Sequence, residues 1–196
     1  MRWHRFDRTL LPTAPWKNGG GVTREIVCWP QGAGLDTFDW RVSIATIGSD
    51  GPFSAFPGID RVITLLEGGG VQLARDDDTI DHRLDTPLQP YAFPGEARIH
   101  AHLLAGECED CNVMTRRASC RARVQVLRQV HALSAPQGLL LVTQGVWSVQ
   151  AAGHDAQALP VPLGLWWEGA AGAWQLRPQT PDASLLAVTI HPVATP

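Results

Sequence analysis

The segment Phe38 to Ile47, FDWRVSIATI, alternates strictly, with Trp40, Val42 and Ile44 on one side and Arg41, Ser43 and Ala45 on the other. That period of two belongs to a β-strand and to no other regular structure. The same signature recurs along the chain, in the β-branched run from Asp60 to Leu66 and in the segments 98–104, 112–117 and 123–130. No window carries a helical stripe. The 15 prolines and 19 glycines fall between the apolar runs at strand spacing. A chain written this way is restricted to an all-β sandwich or barrel.

The second half repeats the first. Ile63 to Leu73, ITLLEGGGVQL, aligns with Leu140 to Val149, LLVTQGVWSV, and each reads as a hairpin around a glycine turn. Leu88 to Leu103 aligns with Leu159 to Leu176, and Cys111 to Thr115 with Ala187 to His191. The offset stays at roughly 73 to 77 residues, too long for a solenoid unit and suited to a duplicated small barrel. The expected division is residues 1–120 and 121–196, with strand exchange between the halves allowed. A 76-residue offset sets Val188, Ile190 and Pro192 opposite Asn112, Met114 and Arg116, so the second half lacks their polar character.

Composition narrows the function. A formal charge of -3 offers no basic surface for nucleic acid, and no run approaches the roughly 18 apolar residues of a membrane helix. The first residues, MRWHRFDRTL, are cationic but no apolar core of a signal peptide follows. The four cysteines read as reduced thiols of a cytoplasmic protein with its own core.

Two stretches hold polar residues in an apolar β setting. In WKNGGGVTREI, Lys17 and Asn18 precede Gly19 to Gly21. The spacing is neither a P-loop nor a dinucleotide fingerprint. It is either a tight turn into the next strand or a nest of backbone amides facing an anion. Arg41, Arg61 and Arg116 lie in strand patterns where a guanidinium is costly unless paired. Alternation puts Arg41 with Ser43, and Asn112 with Met114 and Arg116. If those faces line a barrel, they offer charged and amide donors that suit a carboxylate. The competing reading pairs Arg41 with Glu25 or Asp60 as a structural bridge and turns Arg61 outward.

Other chemistry finds little support. His100-Ala101-His102 with Glu107 has the look of a metal motif, yet it falls late in the first barrel and lacks a fourth ligand, so it reads as a solvated strand face. Cys108-x-x-Cys111 has no second pair for a zinc ribbon. Neither Ser43 nor Ser54 is flanked as a nucleophile elbow. Neither metal nor cofactor is expected.

PWKNGGGVTREI, FDWRVSIATI, GPFSAFPGIDR, LLEGGGVQL and NVMTRR occur in that order across residues 12 to 117, and together they resemble the signature of the HutD/Ves family. The resemblance implies a cupin-type jelly roll duplicated into a two-barrel bicupin within one chain. It also implies a metal-free protein that binds a small acid of histidine degradation, such as formylglutamate or urocanate, and restrains that pathway; no catalytic activity is attached to it. On this reading Lys17, Asn18, Arg41 and Ser43 join Asp60, Arg61, Asn112 and Arg116 as the polar lining. Phe53, Phe56 and Met114 form the apolar walls. The expected partner is a small carboxylate, with no nucleic acid or membrane, and a homodimer remains open. The alternative is a cupin enzyme (an isomerase, hydrolase or metal-dependent oxygenase) acting on a small acid.

Overall fold

The computed structural model describes residues 1–77, 79–169 and 172–193, and among them there is no helix. The chain opens with β1 (Arg2–Asp7). Ten strands follow: β2 (Thr13–Pro15), β3 (Gly21–Trp29), β4 (Trp40–Ile47), β5 (Gly51–Pro52), β6 (Ile59–Gly68), β7 (Val71–Arg75), β8 (Asp81–Leu84), β9 (Pro90–Pro94), β10 (Ile99–Leu103) and β11 (Cys108–Arg116). The remainder are β12 (Cys120–Leu127), β13 (His131–Ala135), β14 (Gln137–Gln144), β15 (Val146–Ala151), β16 (Gln157–Pro160), β17 (Leu163–Glu168), β18 (Gly172–Pro178) and β19 (Ser184–Pro192).

These strands divide into two compact units, Pro12–Cys120 and Met1–Leu11 with Arg121–Pro196. The first contains a six-stranded sheet, β2-β3-β4-β11-β6-β9, and a four-stranded sheet, β5-β10-β7-β8. Its core draws on both: Ile47, Ile63, Leu65 and Phe93 from the larger sheet meet Val71, Leu73, Leu84, Ile99 and Ala101 from the smaller. The second unit contains β12-β19-β14-β17-β1 and β13-β18-β15-β16. Its core is built around Trp147, Trp167, Trp174, Leu140, Val142 and Leu185. The strand order β4-β11-β6-β9 of the first unit returns in the second with every number raised by eight, and so does β5-β10-β7-β8.

The structure differs from the sequence pattern in three places. Residues 1–11 were expected in the first domain, but β1 pairs antiparallel with β17, from Arg2 opposite Glu168 to Asp7 opposite Leu163, and so belongs to the second unit. The unpaired edge of β17 explains this, because a strand edge leaves backbone donors and acceptors unmet until another strand covers it. Next, Gly68 to Gly70 is not a hairpin turn. β6 pairs with β11 and β9, whereas β7 pairs with β10 and β8, so the glycines carry the chain from one sheet to the other. Gly70 has φ of +83°, and a Cβ there would lie 2.4 Å from the Leu84 carbonyl oxygen. No other residue fits so close a crossing.

The third difference is a register slip. Asn112 lies opposite Ile63, and Ala187 opposite Leu140. Ile63 and Leu140 occupy matching core positions on β6 and β14, so the residue in Asn112's place is Ala187, not Val188. A slip of one residue exchanges the two faces of a strand. By the same pairing Asp110 corresponds to Leu185, and Arg61, opposite Met114, to Gly138, opposite Thr189. The polar positions of the first unit are thus apolar or empty of side chain in the second.

Gly138 shows what fills that space. A Cβ on it would meet the Trp167 indole at 2.4 and 2.5 Å and the Val188 carbonyl oxygen at 2.3 Å. Trp167 is fully buried and its indole N–H donates to the Ala135 carbonyl at 3.0 Å, so the ring is anchored. Gly138→Ala is therefore an overpacking change, expected to destabilise the protein by about 1–3 kcal/mol. A lowered denaturant midpoint at unchanged slope is the expected signature.

Candidate functional site

β11 is the strand on which the site is built. It runs between β4 and β6, and every second residue from Cys108 faces the core of the first unit: Asp110, Asn112 and Met114 follow in turn. Ser43 of β4 lies opposite Asn112, and Arg41 opposite Met114. From β6, Arg61 lies on the other side of Met114. A bulge interrupts β6 where β11 passes from Glu109 to Asp110, and another interrupts β3 between Glu25 and Val27. The second leaves Glu25 opposite Ser43, within reach of Arg41. Bulges recur beside functional sites because they re-aim side chains without ending the sheet.

The centre is a chain of three buried polar residues. Nη2 of Arg61 donates to Oδ1 of Asn112 at 2.8 Å, and Nδ2 of Asn112 donates to Oδ1 of Asp110. The chemistry of its neighbours fixes the amide, since a guanidinium only donates. Arg61 is 7% exposed and Asp110 0%. The guanidinium carbon of Arg61 lies 4.9 Å from the Phe93 ring, 5.3 Å from Phe53 and 5.8 Å from Phe56. Such faces attract a cation, by up to about 2 kcal/mol each when water is excluded. Two atoms are left unmet: Nε of Arg61 and Oδ2 of Asp110 are buried without a hydrogen-bond partner.

Charge follows this geometry. Loss of hydration on burial pushes the Asp110 carboxyl up to about 7; Arg61 works against the rise and Glu109 adds to it. Burial also brings the Arg61 guanidinium down to about 10, opposed by Asp110 and assisted by Arg41. Desolvation disfavours the charged form of each group, and their mutual attraction only partly restores it.

The expected site residues separate into two sets. Arg61, Asn112, Ser43, Met114, Phe53 and Phe56 gather at one place on the core face or around it. Arg41 stands at the margin, its Nε donating to Glu25 at 2.7 Å and its Nη1 to Ser43 at 3.3 Å, so its charge is already matched. The remaining four are engaged elsewhere. Asp60 points away from Arg61, as successive residues on a strand must, and accepts from Arg117 at 2.7 Å. Arg116 donates to the backbone carbonyls of Phe38 and Asp36, both at 2.9 Å, and so fastens the loop before β4. Lys17 and Asn18 lie exposed in the glycine turn. There the amide of Gly19 donates to the Trp16 carbonyl at 3.0 Å and that of Gly20 to Asn18 Oδ1 at 3.1 Å, so these donors serve the turn rather than a nest.

Asp110 and Phe93 escaped the sequence reading. It started the strand at Asn112, because Glu109 and Asp110 are poor strand formers. β11 starts at Cys108, which puts Asp110 on the face of Asn112. The signal was the alternation Cys108, Asp110, Asn112, Met114. Elsewhere, His100 and His102 are exposed and stacked at 4.6 Å, with Nδ1 of His102 3.1 Å from Asp50. Among the described residues no group of three or more His, Cys, Asp or Glu side chains is placed to hold a metal ion. Cys108 and Cys111 are unbridged, and burial raises both thiols, Cys108 to about 11.

Paired sheets with this strand order define an all-β, cupin-like protein, and oxalate decarboxylase from Lactobacillus farciminis shares the fold at a TM-score of 0.64, with 10% identity over 97% of this chain and 87% of that one. The family model for HutD matches residues 8–186, and the chain belongs to the HutD family. Protein Ves of Citrobacter koseri is 38% identical over 97% of this chain and 96% of its own. A conserved protein of unknown function from Pseudomonas aeruginosa superimposes at a TM-score of 0.87, with 34% identity over 97% of this chain and all of its own. HutD from Pseudomonas fluorescens, solved in a formate condition, gives 0.82 with 30% identity over 98% of this chain and 100% of that one.

The buried acid makes stability depend on pH. Folding raises the Asp110 carboxyl from its ordinary 3.8 to about 7, so between those values the native state holds a proton that the unfolded chain has released. This contribution is complete below about pH 4 and is lost as pH rises towards 7, with a slope of at most about 1.4 kcal/mol per unit. Asp110→Asn is expected to remove that slope from denaturation midpoints measured between pH 4 and 7.

Proposed function

We propose that this chain is a bicupin whose first barrel, residues 12–120, binds a small carboxylate at Arg61, and whose second barrel is its degenerate, apolar copy. The duplication is supported by the repeated strand order and by a shared irregularity. β6 bulges between Leu65 and Glu67, and β14 between Val142 and Gln144, 77 residues later. The observation that carries the binding site is the condition of Arg61: a buried cation ringed by Phe53, Phe56 and Phe93, its Nε unmet, its neighbouring negative charge, Asp110, reached only through the Asn112 amide. Arg41 is matched by Glu25 and Arg116 by carbonyls, which leaves Arg61 as the guanidinium suited to an added anion. A carboxylate fits its planar fork, with Ser43 and Asn112 at hand as further polar contacts.

Membership of the HutD family directs the choice of acid towards histidine degradation, with N-formylglutamate and urocanate as the compounds to test. In this role the protein senses an intermediate and restrains the pathway, with no chemical step of its own. Loss of a charged hydrogen-bonding partner costs roughly 1.5–3 kcal/mol, about ten- to a hundred-fold in affinity. Calorimetric titration should show that loss for Arg61→Met, while His100→Ala, on an exposed strand face, binds as the parent does. Equal affinity in the Arg61 variant would remove the proposed site.

A further inference from the structure

The three-residue chain has an unusual arrangement for an anion site, because it ends in a carboxyl group. Resting on the reading of Arg61 as the anion-binding cation, we infer that Asp110 takes up a proton when a small carboxylate binds, so that the site loads its ligand as the acid equivalent of an ion pair. Asp110 is fully buried, and its nearest compensating charge is Arg61, reached through the Asn112 amide. An anion on Arg61 withdraws that compensation and sets a second negative charge in the same dry volume. Like charges sharing a buried site cannot both stay ionised at ordinary cost.

The free Oδ2 of Asp110 gives the proton a place to sit, since Oδ1 is already engaged by Asn112. The surroundings offer no better acceptor. Across β4 and β6, Asp110 faces Ala45 and Leu65. The core around it supplies Ile63, Val71, Leu73, Ile99 and Ala101, with Cys108 as a thiol held protonated by burial. Cys111, its other neighbouring thiol, is likewise raised. Glu109 carries its own cation, Arg24, and Arg41 is paired with Glu25. His82, stacked on Tyr91 at 3.6 Å, is a further titratable group on this unit, and burial lowers it. A lowered histidine and a raised carboxyl respond to an arriving anion in the same direction, so a variant is needed to separate them.

N-formylglutamate is the suitable probe, because its own carboxylates stay ionised above pH 6. Titration calorimetry in buffers of different ionisation enthalpy should report uptake of up to one proton per ligand near pH 7.5. Affinity should fall as pH rises from 7 to 9, by at most tenfold per unit. Asp110→Asn, with a permanently neutral side chain, should flatten the profile and abolish the uptake. If that variant does not fold, a difference infrared spectrum of the parent on ligand addition still reads the carboxylic-acid band directly. Zero uptake with a flat pH profile, an unchanged slope in Asp110→Asn, or no new acid band would each overturn the inference. These outcomes leave the site itself standing so long as Arg61→Met loses the ligand. Retention of the ligand by Arg61→Met, or no binding by the parent at any pH, removes the site and the inference together.

Discussion

A guanidinium taken out of water is the most demanding group in this structure, and the first unit is organised around meeting that demand in part. Burying Arg61 is tolerable because three aromatic rings present their faces to it and one amide accepts from it. Two of the rings, Phe53 and Phe56, come from the segment between β5 and β6, and the third, Phe93, from β9. Asn112 in turn is held by Asp110, whose burial is bearable through partial neutralisation. The provision is incomplete by two atoms, Nε at one end and Oδ2 at the other. Buried polar atoms left unmet call for an explanation, and here the two belong to charged groups of one hydrogen-bonded chain.

The second unit shows what the same arrangement of strands becomes without that demand. Gly138 replaces the arginine, Leu185 and Ala187 replace the acid and the amide, and the Trp167 indole fills the volume. Dispersion and apolar burial do there what charge and amide contacts do in the first unit. The two interiors therefore differ in what they bury: the second is apolar at the positions where the first holds a guanidinium, an amide and a carboxyl.

How much of this could be read beforehand depended on the range of the forces involved. Alternation is local, so FDWRVSIATI and IDRVITLL announced their strands, and the all-β class followed. The recurrence of apolar runs and glycine turns at nearly constant spacing was visible as well. Register was not, since the offset between the halves falls from 77 residues at β6 and β14 to 75 at β11 and β19, so a single 76-residue alignment sets Val188 where Ala187 belongs. Pairing between distant segments was equally hidden. Nothing in RWHRFD names β17 as its neighbour, and nothing in GGGVQL says that β7 joins the sheet opposite β6. Arg116 was legible as a polar residue on an apolar strand, yet its partners are backbone carbonyls, which every residue possesses and no sequence distinguishes.

The pairing of β1 with β17 has a consequence for how such a chain is made. As the polypeptide leaves the ribosome, Arg2–Asp7 emerges before residues 12–120, and residues 163–168, which complete its ladder, emerge after them. Residues 12–120 contain every strand of their own two sheets and can close as soon as they are synthesised. The opening strand must meanwhile wait, an unpaired segment carrying Trp3 and Phe6, until β17 arrives. Vectorial synthesis thus imposes an order, with the unit that holds Arg61 finished early and the other sealed last by a strand made before it.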